Sequence, residues 1–275
     1  MFQNIAIIGL GRMGRRYDAL LGARWIVDPQ PHPGRSQYHT VQEFLAAELT
    51  TDLVIIASPT PTHFRIARAL LKAGHNLLVE KPLCTSAGEA RILERLAAAR
   101  GLILCQSTLE RYNPVVQYLR ALPRDSIRSI ESFRFAPCPP GSCAAEGLLD
   151  LGIHDIDLSF HLFSAAIPWQ VHAGYGEPRR EIVVNLKGGD SLVFDLLGRR
   201  WRSGAGWHEV TATSNPILEL VGALYTRRTA MNERWSAEIA LLEQREPPGR
   251  IAPGAGRGGS IELAGQGAAP AGSAP

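Results

Sequence analysis

Three residues near the middle of the chain have the types and spacing to move protons. Asp150, His154 and Asp157 stand at positions i, i+4 and i+7, so on a helix they share one face at successive turns. The stretch that contains them, residues 146–163, is otherwise rich in leucine and isoleucine, which favours burial. Partial withdrawal from water is the environment in which carboxylates and imidazoles exchange protons with a substrate. On these residues alone, Asp150 could equally cap the helix and His154 could be a satisfied core histidine.

A glycine-rich turn follows the first predicted strand. Residues 4–8 form an apolar run typical of a strand buried on both faces, and the sequence GLGRMG comes directly after it. In the GxGxxG pattern the first glycine permits the tight turn, the second admits a pyrophosphate and the third lets helix and strand pack closely. The helix that begins here offers N–H groups to the phosphates. The motif therefore predicts a dinucleotide site at Gly9, Gly11, Arg12, Met13 and Gly14.

The choice of dinucleotide depends on the end of the second predicted strand, residues 24–27. Asp28 stands where a Rossmann unit places the acid that binds the ribose hydroxyls of NAD, and its carboxylate would repel a 2′-phosphate. This favours NAD. Arg35 lies in the following Pro- and Gly-rich loop and could reach a 2′-phosphate, so NADP stays possible.

Two further strand ends carry polar residues that belong to the same predicted site. Residues 52–57 form a buried strand that ends in SPTPTH, which predicts that Ser58, Thr60 and His63 contact the cofactor, although His63 could simply cap the next helix. The next strand, residues 76–79, delivers Glu80 and Lys81 to that edge.

Lys81 is singled out because the chain avoids lysine. Only three of its 29 basic residues are lysines, and arginine cannot give up its proton near neutral pH. Pro82 fixes the local backbone, so the Lys81 side chain is aimed at the crevice, where it could act on a proton or a carbonyl. An ordinary surface lysine is the alternative.

The order of the predicted elements gives the fold class, α/β. Strands and helices alternate as far as Gln106, which predicts an N-terminal Rossmann domain with a doubly wound parallel sheet. Later strand-like runs joined by Gly-containing turns predict a C-terminal α+β domain with an open, mostly antiparallel sheet. The predicted boundaries are 1–109 for the first domain, 110–244 for the second and 245–275 for a disordered tail of Gly, Ala and Pro.

Composition and charge exclude several classes of function. The net charge is only +3 and no block of basic residues occurs, so no nucleic-acid partner is expected. The N-terminus resembles neither a signal peptide nor a membrane span, which predicts no membrane association and a cytoplasmic location. The four cysteines lack metal-finger spacing; Cys138 and Cys143 could pair or bind a metal, but free thiols and no metal are expected.

Taken together, the motifs resemble the Gfo/Idh/MocA oxidoreductases, the glucose-fructose oxidoreductase and inositol dehydrogenase group. The resemblance rests on GxGxxG, on EKP at 80–82, on ERYNP at 110–114 and on DxGxHxxD at 150–157, and it covers residues 3–243. It implies hydride transfer between a nicotinamide and a hydroxyl or keto carbon of a sugar, cyclitol or nucleotide-linked sugar. It also implies a cis peptide before Pro82.

The resemblance assigns roles to individual residues. Lys81 matches the family's active-site lysine, His154 its catalytic acid/base and Asp150 its substrate-orienting aspartate, while Asp157 matches an acid that supports the helix. Together with Lys81, Asp150 and His154, three residues of ERYNP are expected to bind the small-molecule substrate: Arg111, Tyr112 and Asn113.

The chain departs from the family pattern after Asp28, where the sequence predicts no crossover helix, and in the C-terminal sheet, where it predicts fewer or shorter strands. The second departure weakens the expectation of a homo-oligomer formed through that sheet. Two other functions stay open: reduction of an imine or another non-sugar carbonyl, and a non-catalytic NAD-binding regulator.

Overall fold

The computed structural model describes residues 2–138, 148–163, 166–204, 206–212, 214–226, 235–243 and 258–263. The chain divides into two units. Unit 1 comprises Met1–Leu109 and Ser214–Arg245, and unit 2 comprises Glu110–Thr213 and Glu246–Pro275. The sequence placed residues 214–244 in the second domain, whereas their contacts place them with the first.

Unit 1 contains a six-stranded parallel sheet. Its strands are β1 (Ile5–Ile8), β2 (Trp25–Val27), β3 (Gln37–Tyr38), β4 (Leu53–Ile56), β5 (Leu77–Val79) and β6 (Leu104–Gln106). Their order is β3-β2-β1-β4-β5-β6, a doubly wound arrangement. The chain adds strands outward on one side of β1 as far as β3, and then on the other side from β4 onward. Every residue of β1, β2, β4 and β5 is apolar and buried, as expected for strands covered by helices on both faces. The Rossmann fold predicted for this part is confirmed.

Four helices connect these strands: α1 (Arg12–Leu21), α2 (Val41–Ala46), α3 (His63–Lys72) and α4 (Ala87–Arg100). Their ends follow local chemistry. The Ser86 side chain accepts from Glu89 N at the start of α4, and Thr40 does the same for Glu43 N at α2. The glycine-rich turn and the strand ends thus lie at one edge of the sheet, where α/β proteins bind ligands.

Unit 2 contains a seven-stranded sheet. Its strands are β7 (Ile127–Ala136), β8 (Trp169–Tyr175), β9 (Arg179–Leu186), β10 (Ser191–Asp195), β11 (Arg200–Ser203), β12 (Gly206–Glu209) and β13 (Gly258–Leu263). The order is β12-β11-β10-β9-β7-β8-β13, and every pair is antiparallel except β7 with β8. The mostly antiparallel second sheet is therefore confirmed. Self-association through it stays a prediction.

Two helices of unit 2 matter for the site. Helix α5 (Pro114–Arg120) follows a 3-10 turn at Leu109–Tyr112, and α6 (Ile153–Phe163) follows a π-helical turn at Leu148–Gly152. The sequence predicted one continuous helix for 146–163. The described part differs, because its first turn is wound more loosely than an α-helix. Residues 146–147 lie outside the described residues.

The last helical region consists of two described helices of unit 1. They are α7 (Pro216–Tyr225) and α8 (Trp235–Glu243), whereas one region from 217 to 243 was predicted. Helix α8 packs against α4, where Glu94 accepts from the backbone N–H of Ser236 at 2.7 Å and from its hydroxyl at 2.9 Å. None of the helices in the described ranges is long and apolar enough to cross a membrane.

The prediction of a disordered tail does not hold for Gly258–Leu263. This segment pairs antiparallel with β8 along its full length. Ile261 and Leu263 are buried while Ser260 and Glu262 are exposed, so the segment has the alternation of a strand that covers one face. The low apolar content of the whole tail concealed this short alternating segment.

Candidate active site

The GxGxxG turn has the geometry that its glycines predict. Gly9 has φ +88°, and a Cβ there would lie 2.7 Å from Ser58 N. A Cβ on Gly14 would overlap the carbonyl oxygen of Gly9, so α1 can pack on the turn only without a side chain. At Gly11 the Cβ direction is open, with no atom within 4 Å. The turn is therefore closed where the protein packs on itself and open at its middle glycine.

A cavity of about 820 Å³ lies over this open side. Four residues that the sequence assigned to the cofactor line it: Gly9, Gly11, Asp28 and Ser58. The cavity also has a wall that the sequence did not indicate, formed by His39, Thr40, Val41, Gln42, Arg65, Ile66 and Ala69. The first four of these residues directly follow β3, a two-residue strand that the sequence did not predict. Had β3 been predicted, its carboxyl end would have placed these four residues at the same edge of the sheet.

Asp28 is fixed in the cavity wall by backbone amides. Its Oδ2 accepts from Leu10 N at 2.6 Å and its Oδ1 accepts from Gln30 N at 2.9 Å. Burial would raise the pKa of this carboxyl, but the two amides and the nearby His32 hold that pKa below its ordinary value. A negative charge thus stands beside the glycine-rich turn at neutral pH.

Arg35, which kept NADP open at the sequence level, is engaged elsewhere. Its Nη1 and Nη2 donate to the two carboxylate oxygens of Asp18 at 2.6 and 2.7 Å, and Nη2 also donates to Ala23 O. The guanidinium is held near the C-terminal end of α1, and Arg35 is not among the described residues that line the cavity.

His63 links two loops instead of lining the cavity. It is 1% exposed, with Nε2 2.8 Å from Ser58 O and Nδ1 2.9 Å from Pro82 O. The imidazole therefore joins the loop after β4 to the loop after β5. The cavity lining also leaves out Arg12, Met13, Gly14, Thr60, Glu80 and Lys81, all predicted to contact the cofactor.

Lys81 follows β5 and is half-buried, and its peptide bond to Pro82 is cis, as the family resemblance implied. Its backbone N–H donates to Glu80 Oε2 at 3.2 Å. Glu80 in turn accepts from the hydroxyl of Tyr17 at 2.7 Å, and that hydroxyl also lies 2.7 Å from Ser107 Oγ. Burial and the neighbouring Glu80 raise the pKa of Tyr17 well above its ordinary value, so the phenol stays protonated and can hold Glu80 in place.

In unit 2, the three residues of the predicted polar face have different surroundings. Asp150 lies on the π turn and His154 on the first turn of α6, and both are half-buried. Asp157 is 2% exposed and accepts from Arg111 Nε at 2.9 and 3.1 Å, and Arg111 Nη2 also donates to it. Asp157 thus anchors the helix, as the resemblance implied.

The ERYNP segment is largely engaged within unit 2. Arg111 is 3% exposed and paired with Asp157. Asn113 caps α5 through Val115 N at 3.1 Å. Glu110 accepts from Arg134 and Arg180. Tyr112 is half-buried. Substrate binding by Arg111, Tyr112 and Asn113 stays a prediction. For Arg111, the ion pair with Asp157 of α6 gives its guanidinium a structural role inside unit 2.

The cysteine and metal predictions can be compared with the structure only in part, because three of the four cysteines lie among the described residues. Cys84 and Cys105 are buried and Cys138 is exposed, while Cys143 lies outside the described residues. Among the described residues, no group of three or more His, Cys, Asp or Glu side chains is arranged to hold a metal ion.

Comparison with known proteins shows what the chain is similar to. The chain matches the GFO_IDH_MocA family model, described as "Oxidoreductase family, NAD-binding Rossmann fold", over residues 29–108. It is 33% identical over 178 residues to a UDP-N-acetylglucosamine 3-dehydrogenase from Acidithiobacillus ferrooxidans, an alignment that covers 61% of this chain and 56% of the relative. In these matched parts the chain is similar to the Gfo/Idh/MocA oxidoreductases.

Two further matches extend the comparison. A scyllo-inositol 2-dehydrogenase (NADP(+)) from Bacillus subtilis is 27% identical over 143 residues, which is 48% of this chain and 40% of the relative. The alignments thus span about half of these two curated relatives. The solved structure of the Acidithiobacillus ferrooxidans enzyme shares the fold, with a TM-score of 0.72 at 23% identity over 88% of this chain and 95% of that one.

Proposed function

We propose that this chain transfers a hydride between NAD and a hydroxyl-bearing or keto carbon of a sugar, cyclitol or nucleotide-linked sugar. The observation that carries the proposal is the cavity of about 820 Å³ over Gly9 and Gly11, with the Asp28 carboxylate in its wall. The turn fits a dinucleotide because only its middle glycine has open space on the side where a Cβ would point. Bound NAD would supply the hydride acceptor or donor.

NAD is proposed over NADP on electrostatic grounds. Asp28 stays ionised because Leu10 N and Gln30 N donate to it, and an ionised carboxylate beside the adenine ribose repels a 2′-phosphate. Arg35, the basic residue considered for that phosphate, is paired with Asp18. Among the described residues that line the cavity there is one arginine, Arg65, which belongs to helix α3.

The proposed chemistry uses three side chains. His154 takes the substrate hydroxyl proton during oxidation and returns it during reduction, for which an imidazole is suited near neutral pH. Lys81 donates a hydrogen bond to the same substrate oxygen and stabilises the negative charge that develops there. Asp150 orients a neighbouring substrate hydroxyl.

The substrate class is proposed from two supporting facts. The relative aligned over 61% of this chain is named a UDP-N-acetylglucosamine 3-dehydrogenase. In addition, ERYNP resembles the motif of family members that act on nucleotide sugars. A nucleotide-linked sugar is therefore the first substrate to test, and Tyr112 is the residue of that motif proposed to contact it.

The test is a spectrophotometric screen at 340 nm. NAD(H) and NADP(H) are each offered with UDP-N-acetylglucosamine, with inositols and with free sugars. The proposal expects turnover with NAD and at least one of these substrates. Turnover of imines but not of hydroxyl substrates would instead indicate a reductase of non-sugar carbonyl or imine groups. NADH binding without turnover would favour a non-catalytic NAD-binding regulator. Failure to bind either dinucleotide would refute the proposal as a whole.

A further inference from the structure

Unit 2 buries an arginine for which the proposed chemistry has no use. Arg134 lies on β7 and is 2% exposed. Its Nε donates to Asp155 Oδ2 at 2.7 Å and its Nη2 donates to Asp155 Oδ1 at 3.1 Å. Its Nη1 donates to Glu110 Oε1 at 3.2 Å. All three guanidinium nitrogens are thus held by carboxylates from two other elements, the segment before α5 and helix α6.

The cluster formed by Glu110, Arg134 and Asp155 is charged and largely buried. Arg180, on β9, adds a second guanidinium 3.3 Å from Glu110 Oε1. Burial would raise the pKa of Glu110, but Arg134 and Arg180 hold that pKa below its ordinary value. Burial would likewise lower the pKa of Arg134, but Asp155 and Glu110 raise it above its ordinary value. The carboxylates therefore fix the guanidinium electrostatically as well as by geometry.

Asp155 directly follows His154 in sequence. Successive residues of an α-helix are turned by about 100° around its axis. Asp155 therefore points about 100° to one side of His154, and Asp157 points about 60° to the other side. Arg134 holds the first carboxylate and Arg111 holds the second, each with two hydrogen-bonding nitrogens.

The two anchors differ from ordinary core contacts in what they restrain. A buried ion pair is a poor way to gain stability, since apolar residues of the same volume often serve as well or better. A planar guanidinium that forks onto a carboxylate, however, fixes an angle, which aliphatic packing does not. Two forked contacts on opposite flanks of one residue leave α6 little freedom to rotate about its axis.

We infer that Arg134 is a positioning residue, which sets the rotation of α6 through Asp155 and so directs the His154 imidazole. Arg111 and Asp157 restrain the same helix from the other flank. The inference rests on the proposed function, because it assumes that His154 is the acid/base. It goes beyond that function by assigning a role to Arg134, Asp155 and Glu110, which contribute no atom to the proposed reaction.

The test follows the His154 ring directly. Full-length protein is labelled with 13Cε1-histidine, and the His154 signal is assigned by its loss in His154→Gln. The variants are Arg134→Lys, which keeps the charge but loses the fork, Asp155→Asn, and the double variant Arg134→Met/Asp155→Leu, which removes both charges together. The matched control is Asp195→Asn, which alters a more exposed ion pair on the same sheet, the one between Asp195 and Arg200.

For folded variants we expect the His154 signal to shift or broaden in the unliganded protein. With NAD and UDP-N-acetylglucosamine we expect kcat to fall by ~10-fold or more, approaching the ~10²-fold lower bound for loss of an acid/base, while KM for NAD stays unchanged. The Asp195→Asn protein should match the wild type in both measurements.

An unmoved His154 signal, or an unchanged kcat, in a variant that melts near the wild-type temperature would overturn the inference. If the wild-type protein turns over none of the substrates, the proposed function fails, but the ring signal still decides whether Arg134 positions His154. The double variant guards against misfolding, because it leaves no buried charge unpaired at the Arg134–Asp155 contact.

Discussion

At the scale of single residues, Asp28 combines two tasks in one carboxylate. It closes the turn by accepting from Leu10 N and Gln30 N, and it presents negative charge to the cavity. Both tasks need the ionised form, which the lowered pKa secures. Under the proposed function, Asp28 would therefore set the choice between NAD and NADP through its charge more than through its shape.

We predict that Asp28→Asn lowers the preference for NADH over NADPH. Asparagine still accepts a backbone hydrogen bond, but it no longer repels a 2′-phosphate, so the ratio of dissociation constants should move by ~10-fold or more toward NADPH, about 1.4 kcal/mol. Fluorescence titration of each reduced cofactor measures this ratio. Asp52→Asn is the control, because Asp52 also accepts from two backbone amides, Gln3 N and Asn4 N, yet does not line the cavity.

The second residue-scale prediction concerns His154. His154→Ala should retain NADH binding and lose turnover by ~10²- to 10⁴-fold, the usual contribution of a general acid/base. His208→Ala, which alters an exposed histidine on β12, serves as the matched control. Unchanged turnover in His154→Ala would remove His154 from the mechanism.

At the scale of elements, two glycines of the glycine-rich turn have different surroundings. A Cβ at Gly14 meets the backbone of Gly9, while a Cβ at Gly11 enters open space beside the cavity. We predict that Gly14→Ala lowers both the melting temperature and NADH affinity, because backbone overlap of this kind costs typically ~1–3 kcal/mol. Gly11→Ala should weaken NADH binding while costing at most ~1 kcal/mol of stability, the difference between Gly and Ala at a helix start.

Thermal melts and NADH titrations of the two glycine variants check this pair of expectations. Equal loss of stability in both variants, or undisturbed NADH affinity in Gly11→Ala, would show that the open side of the turn is not where the dinucleotide binds.

The strand β13 offers a second prediction at this scale. Ile261 is 5% exposed on the covered face of the sheet, so Ile261→Ala should lower the free energy of unfolding by ~2–4 kcal/mol. Glu262→Ala changes the neighbouring exposed residue and should have almost no effect. Chemical denaturation of both variants measures the difference. If the two variants had the same free energy of unfolding, the pairing of β13 with β8 would not contribute to stability.

What the sequence predicts well is what neighbouring residues determine. The apolar strands β1 and β4 and the glycine-rich turn depend on runs of a few residues, so pattern alone located them. The short strands β3 and β11 have the sequences QY and RWRS, which contain no apolar run, so no hydrophobic pattern marks them before they pair with β2 and β10. The burial of Arg134 could not be predicted, because it stands between Phe133 and Phe135, which the alternation alone would place on the covered face. Its partners Glu110 and Asp155 come from separate segments.

At the scale of the whole molecule, anchored carboxylates make stability depend on pH. Arg134 and Arg180 outweigh the effect of burial and lower the pKa of Glu110 in the folded state. A lowered folded-state pKa means that the unfolded chain binds the proton more readily, so the contribution of Glu110 is full above its unfolded pKa of about 4.3 and is lost as the pH falls through the folded value. Asp155 acts in the opposite sense, since burial raises its pKa.

We predict that Glu110→Gln melts at a lower temperature than the wild type at pH 7, and that this gap narrows between pH 5 and pH 3. The reason is that the wild type loses the Glu110 contribution in acid while the variant has none to lose. Melting curves from pH 3 to pH 7 measure the gap. A constant gap would mean that Glu110 keeps its ordinary pKa. Glu181→Gln, in the exposed pair with Arg179, should show little gap at any pH.

The π turn at Leu148–Gly152 has a consequence for how this protein can vary. A π turn holds one residue more than an α-helical turn needs, so it offsets the residues before it from those after it. Loss of a single residue there would leave a regular helix, yet it would swing Asp150 by about 100° relative to His154. Under the proposed function, the number of residues in this one turn would therefore matter for catalysis, because a shortened turn would keep every proposed active-site residue while misaligning two of them.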